Sequence, residues 1–100
     1  MNDFIDTRVV DAAEIRRRVH EVLQAEVGPF RQALQDSDEL ERDLDCDSLD
    51  RFELTQAFEI EFGLNQIPDK EVKHLKTVGD LVAYFKVRAR EIAPRQTGSL

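Results

Sequence analysis

Apolar residues along this chain recur at intervals of three and four, and no run alternates apolar with polar residues between turn signals. A chain patterned this way offers no half-buried strand, so it can hide its apolar surface only by packing helix against helix. The expected fold is all-α. From Ala12 to Val27, the residues Ile15, Val19, Val22 and Leu23 share one face; Asp11 and Glu14 form a capping box at its start, and Gly28-Pro29 stops it. A second helix begins at Asp47-Ser48 and runs to Phe62, ended by Gly63. A short third covers Pro68 to Leu75, with the proline in its first turn. The fourth opens at Thr77 with Asp80 as capping partner and carries Val78, Leu81, Val82, Phe85 and Ala89 on one stripe. It closes on Lys86, Arg88 and Arg90, cations that suit the negative pole of a helix. Residues 28–46 make a long first loop, which in so small a domain should be pinned to the core or functional. Its apolar anchors are Phe30, Leu34, Leu40 and Leu44. The helical domain is expected over residues 11–92, with an N-terminal extension 1–10 and a tail 93–100; Met1–Thr7 and Pro94–Leu100 read as frayed ends.

Charge narrows the partners. The formal net charge is −7 over 100 residues, which argues against nucleic acid because phosphates repel an acidic chain. The acid is concentrated: residues 36–62 hold eleven Asp and Glu against Arg42 and Arg51, a net −9, whereas residues 63–100 net +3. A stretch so acidic yet rich in Leu and Phe reads as a folded element whose field steers cationic partners, or more blandly as a solvated face that keeps the protein soluble. No apolar run approaches the roughly 20 residues that span a bilayer, and the start lacks a basic-then-apolar signal pattern. The single cysteine, Cys46, excludes an internal disulfide and fits a reducing cytoplasm.

The second helix carries two apolar stripes. Leu54, Ala57, Phe58 and Phe62 lie on one side; Leu49, Phe52 and Ile60 lie on another, with Gln56 among them, Glu53 and Glu59 at the borders and Ser48 beside it. One stripe suits the core. The other is either covered by the long loop or the third helix, or stays exposed as a greasy strip rimmed by carboxylates, the layout of a docking surface. A domain this small cannot easily cover a helix on all sides, which favours exposure.

Catalytic chemistry is hard to find. Asp43, Asp45 and Asp47 repeat like the start of a calcium loop, but Ser48 and Leu54 stand where that loop needs Gly and Glu. No metal site is expected. Cys46 lies at a helix start, yet Asp45 and Asp47 beside it oppose thiolate formation, so a structural cysteine is expected. His20 and His74 have no motif-spaced partner and are expected as exposed surface residues. No catalytic residues are assigned, and an enzyme in its own right is not expected. Ser48 remains, either as a helix cap or as a place for a phosphoester, since free N–H groups and the positive helix end favour an anion. Spacing alone does not choose between these.

The run Asp43-Leu44-Asp45-Cys46-Asp47-Ser48-Leu49-Asp50, followed by Glu53-Leu54, Glu59, Glu61-Phe62-Gly63, Ile67-Pro68-Asp69 and Thr77-Val78-Gly79-Asp80, resembles the acyl carrier proteins. The likeness is strong from about Leu40 to Phe85. It implies a four-helix bundle of acyl-carrier type in which Ser48, flanked by Asp47 and Leu49, carries 4′-phosphopantetheine as a phosphodiester installed from coenzyme A by a phosphopantetheinyl transferase. The arm's thiol then holds an acyl group as a thioester. The resemblance further implies docking through the second helix, here Leu49, Asp50, Phe52, Glu53, Gln56, Glu59 and Ile60. The partners would be acyl-transfer, condensing and other biosynthetic enzymes with basic patches, served by a monomeric cytoplasmic carrier. Fatty chains would find shelter in the bundle. Asp45 replaces the family's usual Gly, Ile60 replaces a frequent acid, the 63–66 loop is one residue longer than in many members, and both termini are extended. These departures favour a specialised carrier at least as strongly as the general one. Fatty acyl, polyketide, amino-acyl and lipid-A-type cargoes all use the scaffold, and the acidity leans towards fatty acyl. The alternative is an acidic interaction module with the same fold that is never modified.

Overall fold

The computed structural model describes residues 10–92, over which four helices run in the order α1 Ala12–Glu26, α2 Ser48–Phe62, α3 Asp69–Val72 and α4 Val78–Val87, followed by a 3₁₀ turn at Ala89–Glu91. Among the described residues there is no strand, only an isolated antiparallel bridge between Glu39 and Thr77. The ends expected to fray, Met1–Thr7 and Pro94–Leu100, lie outside the described residues. Val10 is buried with the core.

Each helix start reflects local chemistry. The Asp11 carboxylate accepts from Glu14 N–H at 2.9 Å, but Glu14 turns its own carboxylate to Arg18 at 3.3 Å instead of back to the cap, so only half of the expected box forms. Full capping boxes close α2 (Asp47 with Asp50) and α4 (Thr77 with Asp80). Gly63 ends α2 in the left-handed region at φ 67°, where glycine alone adds no side-chain clash. At Gly28 a β-carbon would sit 2.6 Å from the Gln24 carbonyl oxygen, which explains why glycine follows α1.

α3 is shorter than the spacing suggests. Lys76 N–H goes to the Asp80 carboxylate, and the Val72 and Leu75 carbonyls accept from the Arg51 guanidinium at 3.0 and 2.8 Å. With those groups committed elsewhere, the helix resolves after Val72 into i→i+3 turns. α4 likewise stops at Val87, leaving Lys86 as the one basic residue of its last turn. Arg88 instead donates to the Tyr84 hydroxyl and to Glu91, both at 2.7 Å.

The core unites Ile15, Val19 and Leu23 of α1 with Leu54, Phe58 and Phe62 of α2 and Val78, Leu81 and Phe85 of α4. Phe58, Phe62 and Phe85 meet at centroid distances of 4.6–6.0 Å, and α1 contributes a buried cation to them. That cation is Arg18, 1% exposed, lying 4.9 Å over Phe62 and bonded to the Glu61 carboxylate and carbonyl oxygens at 2.7 and 2.6 Å. The long loop is pinned as expected: Leu34, Leu40 and Leu44 are buried and Phe30 packs against them. Backbone bonds from Leu40 N to Lys76 O, Val78 N to Asp38 O and Gly79 N to Asp36 O, each 2.9 Å, stitch it to the start of α4.

Candidate functional site

The loop delivers Ser48 to a fixed place. Leu40 and Leu44 anchor the chain, Cys46 N–H bonds back to the Leu40 carbonyl at 2.9 Å, and the chain then swings out into α2. Between these anchors Asp45 adopts φ 57°, a left-handed conformation that favours glycine and that aspartate tolerates. Cys46 is 1% exposed, and burial, reinforced by Asp50 and Asp47, pushes its thiol up to about 11. It is a core residue, as the sequence indicates.

Asp47, not Ser48, caps the helix: its carboxylate accepts from Asp50 N–H at 2.9 Å, and Asp50 returns a bond to Asp47 N–H at 3.1 Å. Ser48 is thereby released to be the first helical residue, exposed, with its hydroxyl engaged by no described residue. Of the two roles the sequence left open for Ser48, the cap is thus taken by Asp47. Ser48 opens onto a depression lined by Glu39, Glu41, Arg51, Lys73 and Lys76. A primary hydroxyl at the positive end of a 15-residue helix, facing three cations, fits a phosphoester.

The second stripe of α2 is exposed: Leu49 by 62%, Phe52 by 57% and Ile60 by 82%. With Glu53 and Gln56, also exposed, these side chains share a helical arc of about 100°. Glu53, Gln56 and Ile60 also line a groove against α1, closed on the far side by Glu21, Val22 and Glu26. Asp50 and Glu59 differ from the others. Asp50 belongs to the capping box, and Glu59 accepts from Ile67 N–H at 2.8 Å, which ties down the α2–α3 connection. Glu59 therefore has a structural task that its expected place on the docking rim did not suggest.

The aspartates that imitate a calcium loop are spent locally. Asp43 accepts from Glu39 N–H at 2.7 Å and from Arg42, holding its carboxyl below the usual range, and Asp47 caps α2. Among the described residues no group of His, Cys, Asp and Glu is placed to hold a metal ion. His74 is exposed, as expected. His20 is only half-exposed and not the fully exposed residue expected: its Nε2 is buried with no hydrogen-bond partner among the described residues. Asp36 of the long loop pairs with Arg16, one turn before His20, which brings both charges near the imidazole. Burial and then Arg16 lower the imidazole pKa, and Asp36 opposes them.

Sequence reasoning missed Arg51, Lys73 and Lys76 beside Ser48. The available signals were the net positive charge of residues 63–100 and the three-residue spacing of Lys73 and Lys76.

Comparison with known proteins agrees with this geometry. The profile of a family described as "Phosphopantetheine attachment site" matches residues 13–85. Curated proteins named "Acyl carrier protein" from Rickettsia canadensis (strain McKiel), Rickettsia massiliae (strain Mtu5) and Rickettsia rickettsii (strain Iowa) are each 35% identical to this chain over 75 residues, covering 75% of it and 86% of the relative.

Proposed function

The chain belongs to the acyl carrier proteins of the phosphopantetheine-attachment family, and from that membership we propose that Ser48 is the residue that bears the 4′-phosphopantetheine arm. The protein is a carrier and not a catalyst, and its prosthetic group supplies a thiol on which acyl groups are held as thioesters. The observation that carries the assignment is the division of labour at the start of α2, where Asp47 takes the cap and leaves the Ser48 hydroxyl exposed. In the attachment, Ser48 Oγ bonds to the phosphorus next to the pantetheine of coenzyme A while the pyrophosphate bond breaks. Adenosine 3′,5′-bisphosphate departs, and the serine proton passes to a base of the transferase. The backbone N–H groups of Ser48 and Leu49, which have no acceptor among the described residues, favour the negative charge placed there.

Handling of cargo falls to the rest of the bundle. A cavity of about 20 Å³, lined mostly by apolar side chains (Leu40, Leu54, Phe58, Val72, Leu75 and Leu81) with Arg51 and Thr55 among them, lies between the long loop, α2, α3 and α4. It has room for about one water, so an acyl chain enters only as α3 moves outward. Its lining favours fatty-type over amino-acyl cargo. Partner enzymes dock on the exposed arc of α2, with Leu49, Phe52 and Ile60 as apolar anchors and Glu53 facing their basic residues. With Ile60 exposed beside Phe52 and Leu49, the strip suits a greasier partner, which supports a specialised carrier. The reading includes a monomeric, cytoplasmic protein, to which the lone buried thiol is suited. Among the described residues no helix is long and apolar enough to cross a membrane.

Incubation with coenzyme A and a promiscuous phosphopantetheinyl transferase, followed by intact mass measurement, tests the site. The wild type gains one phosphopantetheinyl group and Ser48→Ala gains none. Equal gain by both proteins moves attachment elsewhere, and no gain by either rejects the carrier assignment of Ser48.

A further inference from the structure

A phosphodiester on Ser48 meets an electrostatic difficulty of this chain's own making. The modified residue sits in the most acidic part of the sequence, within three positions of Asp45, Asp47 and Asp50 and across from Glu39 and Glu41. One more negative charge there is unfavourable unless cations are brought to it. The fold brings them from the far side of α3. Arg51 donates to the Val72 and Leu75 carbonyls at 3.0 and 2.8 Å, drawing the turn after α3 against the first turns of α2. Lys76 is fixed on both sides of its α-carbon, its N–H to the Asp80 carboxylate and its carbonyl to Leu40 N–H, both at 2.9 Å. Lys73 and Lys76 thus border the same depression as Ser48, with exposed side chains. Of the two acids in that lining, Glu39 is paired outwards with Arg42 at 3.3 Å, which leaves the cations in excess.

We propose that Lys73 and Lys76, on a turn positioned by Arg51, form a seat for the phosphodiester carried by Ser48 and hold the root of the arm against α3. This rests on the assignment of Ser48 above and adds residues that the attachment itself does not require. In the unmodified protein the two ammonium groups and the Arg51 guanidinium repel one another; the attached phosphate relieves that repulsion.

The test uses the phosphopantetheinylated full chain, its loading checked by intact mass, at low ionic strength. The ³¹P resonance of the wild type is expected to be displaced from that of a phosphopantetheinylated serine peptide. In Lys73→Gln/Lys76→Gln it returns to the peptide position, and in Lys73→Arg/Lys76→Arg it stays displaced. Salt at 1 M, where the Debye length falls to about 3 Å, moves the wild-type resonance towards the peptide. A readout without substitution is the lysine side-chain ¹³Cε spectrum, in which Lys73 and Lys76 shift between unmodified and modified protein while Lys70 and Lys86 stay put. Normal mass gain with one ³¹P position shared by wild type and the Gln variant, or unmoved Lys73 and Lys76 signals, overturns the seat and leaves the Ser48 assignment standing. Absence of mass gain in the wild type overturns both.

Discussion

Asp45 holds a left-handed backbone, φ 57°, on an exposed stretch between the buried Leu44 and Cys46, so its substitution isolates a backbone effect from packing. A β-carbon in that region costs roughly 1–2 kcal/mol, less for aspartate, whose short side chain tolerates the conformation. Against this, glycine loses more freedom on folding, by about 0.5–1 kcal/mol. With aspartate bearing about 0.5–1 kcal/mol of that cost, the two effects nearly cancel, and Asp45→Gly is expected within about 0.5 kcal/mol of wild type, a shift of no more than roughly 4 °C in thermal midpoint. Asp45→Ala keeps the β-carbon without the tolerant side chain and should lose about 1 kcal/mol. Asp45→Asn tolerates the conformation equally well but removes a charge from an acidic loop, so it measures the electrostatic share separately. Urea unfolding at neutral pH, with the slope m unchanged across the set, gives the comparison. If Ala is neutral, or if Asn and Gly both stabilise by well over about 0.5 kcal/mol, the conformational explanation is refuted.

Other consequences are open to equally direct measurement. His20 has a folded pKa lowered below its ordinary 6.5, chiefly by burial, so protonation favours the unfolded chain. Stability should be complete above about pH 6.5 and decline as pH falls from there through the lower folded value. Thermal midpoints between pH 7.5 and 5 should show that decline in wild type and not in His20→Gln; parallel curves would show that His20 is not its source. The carboxyl of Asp80, held down by Lys76 N–H, acts in a separate window, its stabilisation being lost only below about pH 4. Cys46, with a thiol pushed from 9.0 to about 11, should react at pH 8 at least about 100-fold more slowly than an unperturbed cysteine and recover in urea; fast labelling of the folded protein contradicts its burial. Glu53→Lys should weaken association with basic partner enzymes, most at low salt, without changing the thermal midpoint. Glu59→Lys should in addition lose about 1 kcal/mol of stability with its bond to Ile67 N–H. Equal partner kinetics for wild type and Glu53→Lys at low salt would remove the charge from the docking account.

Much of the site was legible because its determinants are local. The Gly63 stop, the Thr77–Asp80 cap and the core stripe of α4 depend on residues within one turn of each other, and the structure reproduces them. The exposed strip of α2 followed from counting: a helix with two apolar faces in a chain of 100 residues has neighbours enough for one. What escaped notice rests on contacts between residues far apart in sequence. Arg18 looks like one more surface arginine on α1 until Glu61 and Phe62 close over it 43 and 44 positions later. His20 has a surface spacing, yet the folded chain leaves it half-buried with its Nε2 covered.

The pattern of apolar residues and caps determined by itself that this chain is a set of helices, and the DSL run with its downstream motifs determined which serine to watch. Tertiary structure decided what that serine is free to do. Asp47 took the capping bond, the loop fastened to α4 set the entry into α2, and Arg51 drew two lysines to the depression beside Ser48. Helix periodicity and capping are short-range and can be read from neighbours. The charge environment of one hydroxyl sums over segments that only folding brings together, and no local pattern encodes it.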